Sequence, residues 1–184
     1  TDAQGNIYSC DSLNTRVKKY DPDGNLIMMF GSQGNDEGQF GGVGPEGIDV
    51  DDEGLIFVSD SHTICGGNHR VQVFDQGGHF VSYFGSYGMT DYQFAGSVPI
   101  REYGYDFGLG LSPGPEGPVG IALLRNPIAR YFAYFRKNTA FCCDTDNGRL
   151  LAMTPYGENF GVFGKGILTR PRQITIDSND LLYV

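Results

Sequence analysis

The 184-residue chain contains no tryptophan, only four cysteines, and far fewer basic than acidic residues. With 13 Lys and Arg against 22 Asp and Glu, its formal net charge is −9. A broad nucleic-acid-binding surface needs clustered Lys and Arg to neutralise phosphates, so this composition argues against one. No apolar run approaches the roughly 20 residues that span a bilayer, so we do not expect a membrane span.

The number and spacing of the cysteines argue against a C-x-x-C motif and against a disulfide framework. Cys10, Cys65, Cys142 and Cys143 form no C-x-x-C pair, and a disulfide framework is not expected in a chain of this size. Glycine and proline are plentiful, at 28 and 9 residues, but they follow no three-residue period of the collagen type.

An internal repeat is the strongest signal in the chain. An apolar segment ending in Asp, then Asn and Arg, then a second apolar segment, then Phe-Gly, occurs three times, beginning at Ile7, Ile56 and Ala140. Each copy is followed by a short apolar stretch that begins at a proline: Pro45, Pro118 and Pro171. One unit therefore holds four short apolar segments separated by turn residues.

These segments are predicted to be β-strands. Residues 70–74 alternate with period two, and residues 21–25 and 75–78 have the composition of hairpin turns. Four antiparallel strands in a unit of about 40–50 residues are typical of a propeller blade. We therefore predict an all-β chain built of four-stranded antiparallel β-propeller blades.

The repeated pattern Ile-Tyr-x-x-Asp, Asn-x-Arg-Val, Phe-Gly and Pro-x-Gly-Ile-x-Val-Asp resembles the NHL repeat. The resemblance implies a β-propeller, usually of six blades. The third unit departs from the pattern, because Gln173 stands where Gly47 and Gly120 stand in the other units, and Thr154-Pro155 replaces the usual Asp.

The whole chain, 1–184, is predicted to be part of a single propeller domain. Its units are expected at roughly 1–53, 54–124 and 138–180, with the start of another unit at 181–184. Because both ends cut a repeat, we expect three units and a fraction of an incomplete ring, a fragment of a longer protein. Assembly of the ring from several chains is the alternative.

Two insertions interrupt the period. Residues 86–117 are rich in Gly, Tyr and Phe and contain Arg101, Tyr103 and Tyr105. Residues 125–137 hold four of the 13 basic residues, none of the acidic ones, and several aromatic residues. Long insertions in compact domains are usually functional. Because Arg and Tyr are favoured contact residues at interfaces, the binding candidates are Arg101, Tyr103, Tyr105, Arg130, Tyr131, Tyr134 and Arg136.

The repeated Asp and Arg residues are predicted to be structural. A residue that recurs in every unit is expected to have the same structural role in each. Here the role is a carboxylate that accepts hydrogen bonds from turn amides and from the repeated Arg. The positions are Asp11, Arg16, Asp60, Arg70, Asp144 and Arg149. No catalytic residue is predicted.

The three histidines lie close together in the second unit, at His62, His69 and His79. His69 and His79 are expected to be solvated loop residues, and His62 is the weak metal candidate. Propeller enzymes related to the family, the peptide-amidating lyases, use histidines with zinc and calcium. We predict no cofactor, and zinc or calcium would be relevant only if the enzyme alternative holds.

These observations favour a non-enzymatic binding or scaffold module that contacts a protein partner, or the rest of a larger assembly, through its inserted loops. The first alternative is a propeller hydrolase or lyase with a metal in the central channel. The second is an RNA-binding propeller, since some NHL proteins bind RNA and aromatic residues with cations suit single strands. The acidic surroundings of segment 125–137 argue against a broad RNA-binding face.

Overall fold

A computed structural model describes residues 1–42, 44–61, 67–95, 117–125 and 137–184. The described residues form short β-strands joined by turns, with one 3-10 turn at Ser12–Asn14 and no α-helix among them. None of their elements is a helix long and apolar enough to cross a membrane.

The strands form three main antiparallel sheets in chain order. The first sheet holds β1 (Ile7–Asp11), β2 (Arg16–Tyr20) and β3 (Leu26–Phe30). After two short strands, β4 (Ser32–Gln33) and β5 (Gln39–Phe40), the second sheet holds β6 (Ile48–Val50), β7 (Ile56–Asp60), β8 (Arg70–Phe74) and β9 (Phe80–Phe84).

The third sheet repeats the second. It follows β10 (Tyr87–Gly88) and β11 (Phe94–Ala95), and holds β12 (Pro118–Leu124), β13 (Thr139–Asp144), β14 (Arg149–Met153) and β15 (Asn159–Phe163). An antiparallel pair of β16 (Thr175–Ile176) and β17 (Leu182–Tyr183) ends the chain. In the second and third sheets, strands adjacent in sequence are also adjacent in space, which is the meander order predicted for a blade.

Apolar side chains between successive sheets form the core. One cluster joins the first and second sheets through Val17, Phe40, Ile56 and Phe74. The largest cluster joins the second and third sheets, and its members are Phe57, Val71, Val73, Phe84, Phe94, Ile121, Leu123, Ala140, Cys142, Leu151 and Met153. Each sheet is buried on its neighbours, so no single sheet has a core of its own.

The first strands of neighbouring sheets approach each other closely at Gly47 and Gly120. A Cβ atom at Gly47 would overlap the carbonyl oxygen of Val119, and one at Gly120 would lie 2.6 Å from the carbonyl oxygen of Arg172. Glycine at these two positions therefore lets the backbones meet. This explains the glycine in the sequence pattern, and Gln173 is the departure from it.

The structure shows that the first predicted insertion, 86–117, begins with residues that belong to the repeat. The first ten residues of 86–117 repeat an element of the first unit, because β10 and β11 form a parallel pair like that of β4 and β5. This part of the predicted insertion is therefore a repeated connection. Residues 96–116, and with them Arg101, Tyr103 and Tyr105, lie outside the described residues, as do 126–136.

Candidate functional site

The repeated Asp60 and Arg70 belong to a buried polar network between the first and second sheets, in which Asp60 is the shared acceptor. Arg70 Nε donates to Asp60 Oδ2 at 3.0 Å, and Asp60 also accepts from Asn68 Nδ2, Gln72 Nε2 and the Gly41 backbone N–H. Burial raises the pKa of Asp60, while these donors oppose the rise. Sequence reasoning missed Asn68 and Gln72 as members of the network.

The network also holds the connection that precedes it in the chain. Arg70 Nη2 donates to the carbonyl oxygens of Asp36 and Gln39 at 2.8 and 3.0 Å. Arg149 does the same in the next unit, where it pairs with Asp144 at 2.6 Å and donates to the carbonyls of Thr90 and Gln93. Each of these Asp–Arg pairs therefore clamps the loop of the preceding unit.

The first unit is built differently at this position. Asp11 pairs with Lys18 Nζ at 2.7 Å and accepts from Asn14, and these contacts lower the pKa of the Asp11 carboxyl. Arg16 Nε donates to the Asn14 carbonyl oxygen instead of to Asp11. The repeated Arg is thus engaged in a clamp in the second and third units, whereas in the first it caps its own turn.

Acidic residues begin most of the tight turns. Asp2, Asp51 and Asp177 each accept from the backbone N–H groups two and four residues later, which is the geometry of an Asx turn. Thr154, which replaces the usual Asp, accepts in the same way through Oγ1. A considerable part of the negative charge therefore has a local structural role.

A cleft of about 510 Å³ runs along β6, β12 and β16. Ile121 and Ile174 form part of its wall, with Asp49, Arg125 and Asp177 at its polar end. Asp49 accepts from Arg125 Nη2 at 2.7 Å and from the Leu123 backbone N–H at 2.9 Å. The positive charge of Arg125 is therefore paired with Asp49, and the remaining charge at this end of the cleft is negative.

Candidate nucleophiles and metal ligands are scarce in the described part of the chain. Cys10, Cys142 and Cys143 are free thiols, and burial raises the pKa of Cys10 and Cys143 to about 12, which keeps them protonated at neutral pH. No group of three or more His, Cys, Asp or Glu side chains among the described residues could hold a metal ion. His62 lies outside the described residues.

The expectation that His69 is solvated is wrong, whereas His79 is exposed and pairs with Asp75. The His69 ring packs edge-on against Tyr87, with 5.1 Å between the ring centroids. Burial lowers the pKa of His69 to about 4, so it is neutral at physiological pH. The period of the sequence could not show this, because the ring packs against Tyr87, which belongs to a different connection.

Described strands flank the two segments 96–116 and 126–136, and we call the flanking residues of each segment its stem. The first segment precedes β12 and the second follows it, and the two ends of β12 are ~20 Å apart at 3.3 Å per residue. At the second stem, Leu124 pairs with Thr139, and the Asn138 N–H donates to the Leu124 carbonyl oxygen at 2.8 Å. Arg130, Tyr131, Tyr134 and Arg136 lie within 126–136, outside the described residues.

These observations can be set beside known proteins. The family model for the NHL repeat matches residues 43–74. The chain contains an NHL repeat. That repeat spans β6, β7 and β8, with the Asp60–Arg70 clamp inside it.

Known proteins are also similar to longer parts of the chain. Protein brain tumor of Drosophila melanogaster is 27% identical over 157 residues, which are 84% of this chain and 11% of that protein. The streptogramin B lyase structure superposes with a TM-score of 0.58 at 14% identity, over 98% of this chain and 44% of the lyase chain. Virginiamycin B lyase from Staphylococcus aureus gives the same score and identity, over 45% of its chain.

The chain thus spans about a tenth of the curated relative and under half of each solved structure. At 14% identity the lyases share the fold alone, and together with the two complete meander sheets they confirm the predicted all-β propeller architecture, with an incomplete ring in this chain. The unit boundaries and the binding residues in the insertions stay predictions.

Proposed function

We propose that this chain is part of a non-catalytic binding or scaffold module, which contacts protein partners through the segments that interrupt its NHL-type units. Stacked sheets hold the connections between strands at fixed positions, and aromatic and basic side chains in the longer connections supply the contacts. The propeller fold and the NHL repeat support a binding module of this kind.

The observation that carries the proposal is the construction of the second stem. In the second sheet, the five-residue turn 51–55 is enough to connect the first strand to the next. At the same place in the third sheet the connection has 14 residues, 125–138, and includes the eleven residues 126–136, although the pairing of Leu124 with Thr139 already closes the hairpin. The sheet does not need this segment, and its composition is suited to contacts.

Ion pairs hold the base of the segment against the second sheet. Arg125 pairs with Asp49 at 2.7 Å, and Lys137 Nζ lies 3.6 Å from Asp52 and 3.8 Å from Glu53. The ends of the segment are therefore oriented before any partner arrives, which reduces the entropy lost on binding.

The test replaces 126–136 with a five-residue turn copied from 51–55. We expect the circular dichroism spectrum to be unchanged and the recovery of cross-linked partner proteins, quantified by mass spectrometry, to fall at least fivefold. The matched control replaces turn 75–79 with the sequence of turn 21–25, which should leave recovery unchanged. Full partner recovery by the shortened chain would refute the role of this segment.

Other measurements and variants test the two alternatives. An RNA-binding role predicts affinity for an oligonucleotide that falls steeply with salt and is reduced by Arg130→Gln and Arg136→Gln. A lyase role predicts bound zinc or calcium in the intact protein and a loss of activity in His62→Ala. Either result would replace the proposed function.

A further inference from the structure

Two connections in this chain share one backbone but carry different side chains. We name residues 32–40 the polar loop and residues 86–94 the aromatic loop. Each is built on a parallel strand pair, with a left-handed glycine just before it, Gly31 at φ 94° and Gly85 at φ 92°. In both, a glutamine side chain caps a backbone N–H: Gln39 caps Asp36 at 3.1 Å, and Gln93 caps Thr90 at 3.3 Å.

The same contacts anchor both loops to the next sheet. Phe40 and Phe94 are fully buried in the cores on either side of the second sheet. Arg70 holds the carbonyls of the polar loop, and Arg149 holds those of the aromatic loop. The polar loop therefore shows which side chains the fold needs at these positions and which it does not.

Three positions differ in a consistent direction. Gln33, Asn35 and Gly38 of the polar loop correspond to Tyr87, Met89 and Tyr92 of the aromatic loop. These three side chains are 53%, 61% and 59% exposed. Since the polar loop folds in the same way without them, their exposure to water is not required by the scaffold, and several exposed apolar side chains on one loop are typical of a contact site.

The surroundings indicate what the loop binds. Tyr87 is held from one side by the His69 ring at 5.1 Å, so its orientation is set before binding. Asp91 lies between Met89 and Tyr92, and its carboxylate is largely exposed although it is 3.5 Å from Arg149 Nη1. A carboxylate and two tyrosine faces attract Lys or Arg, and the methionine and the tyrosine rings suit aliphatic groups.

We propose that the aromatic loop, through Tyr87, Met89 and Tyr92, binds a short peptide segment of a partner protein in which Lys or Arg flanks aliphatic or proline residues. This rests on the proposed function as a binding module and adds a surface outside segments 96–116 and 126–136. The net charge of −9 favours a basic partner and disfavours nucleic acid, which would be repelled by Asp91 and the acidic body.

The test selects a displayed library of random 12-residue peptides on the 184-residue chain and measures the selected peptides by fluorescence polarisation. Tyr87→Gln and Met89→Asn install the residues of the polar loop, and Tyr92→Ser removes the second tyrosine ring. We expect selected peptides rich in Lys or Arg beside aliphatic or proline residues, and a loss of affinity of at least tenfold in the triple variant. The matched control, Gln33→Ala with Glu37→Ala in the polar loop, should stay within twofold of the parent.

Several outcomes would overturn the proposal: peptides that bind the triple variant equally, an acidic selected consensus, no selected peptide, or an oligouridine probe that binds the parent and not the variant. Self-association of the parent that is lost in the variant, measured by sedimentation, would name a second copy as the occupant and overturn it as well. If the triple variant loses its native circular dichroism spectrum, Met89→Asn and Tyr92→Ser are measured singly, each with an expected loss of at least threefold. Because these variants leave 126–136 intact, failure here and failure of the proposed function are distinguishable.

Discussion

Arg149 and Arg16 occupy the same position of the repeat in very different surroundings. The side chain of Arg149 is 3% exposed and lies between the buried Asp144 carboxylate and two carbonyl oxygens of the aromatic loop. Arg16 lies near solvent and donates to Asn14 within its own turn. The same residue at the same repeat position therefore contributes differently to the free energy of unfolding, because the cost of leaving a charge unpaired rises with burial.

We predict that Arg149→Met lowers the free energy of unfolding by about 3–5 kcal/mol, since it removes the cation that pairs with the buried Asp144 carboxylate. Arg16→Met should change it by less than about 1 kcal/mol. Urea denaturation followed by circular dichroism measures both. Equal losses in the two variants would contradict the clamp.

His69 gives a prediction for acid stability. Its pKa in the folded protein is about 4, below the ordinary value of 6.5, so the unfolded chain binds a proton first as the pH falls. This contribution to stability is complete above pH 6.5 and is lost as the pH falls toward 4. His69→Asn, which suits the positive φ of 50°, should flatten the dependence of the melting temperature on pH within this window.

The control for this measurement is His79→Asn, because the His79 side chain is exposed. The control variant should keep the pH dependence of the parent between pH 6.5 and 4. A His69→Asn variant with the full pH dependence of the parent would show that other groups produce it.

At the scale of elements, the first strands of neighbouring sheets are joined by side-chain contacts as well as by close packing. Asp49 on β6 accepts from the Leu123 N–H on β12 and from Arg125 just beyond it. Asp52, two residues into the following turn, makes a longer contact with Lys137 at the surface. The two aspartates are three residues apart, but Asp49 makes the shorter and more buried contacts.

We predict that Asp49→Ala destabilises the protein by about 1.5–3 kcal/mol, because a backbone N–H of β12 and the Arg125 guanidinium both lose their acceptor. Asp52→Ala should cost less than about 0.5 kcal/mol, as is usual for an exposed ion pair. Thermal denaturation of both variants measures the difference, and a cost at Asp52 equal to that at Asp49 would disprove the assignment.

At the scale of the whole molecule, stability depends on the stacking of sheets. Every residue of β7, β8, β13 and β14 is buried, since these strands lie between neighbouring sheets. β3 of the first sheet and β17 at the end of the chain are partly or largely exposed. Strands that bury little of their surface open locally at a lower free-energy cost than fully buried strands.

Hydrogen exchange measured by mass spectrometry should therefore find the slowest amides in β7, β8, β13 and β14. Amides of β3 and β17 should exchange at least tenfold faster. Uniform protection across all strands would show that the described sheets open together as one unit.

Particular residues show how far the sequence could lead. The alternation at Arg70–Phe74 and the hairpin turns predicted strands that the structure contains, because both signals are local. The sequence also contained the correspondence of Ser32–Phe40 with Ser86–Phe94, but the long insertion that follows masked it. The burial of His69 and the pairing of Asp49 with Arg125 could not be predicted, since both join positions on different sheets.

Composition and repeat period by themselves determined the strands, the four-segment unit and the acidic turns, since each of these depends on residues a few positions apart. The structure decided which copy of each repeated residue is buried, which loop carries exposed aromatic side chains on a shared backbone, and that one long segment precedes β12 and the other follows it. These properties arise when one sheet packs on the next, and such contacts join residues far apart in the chain.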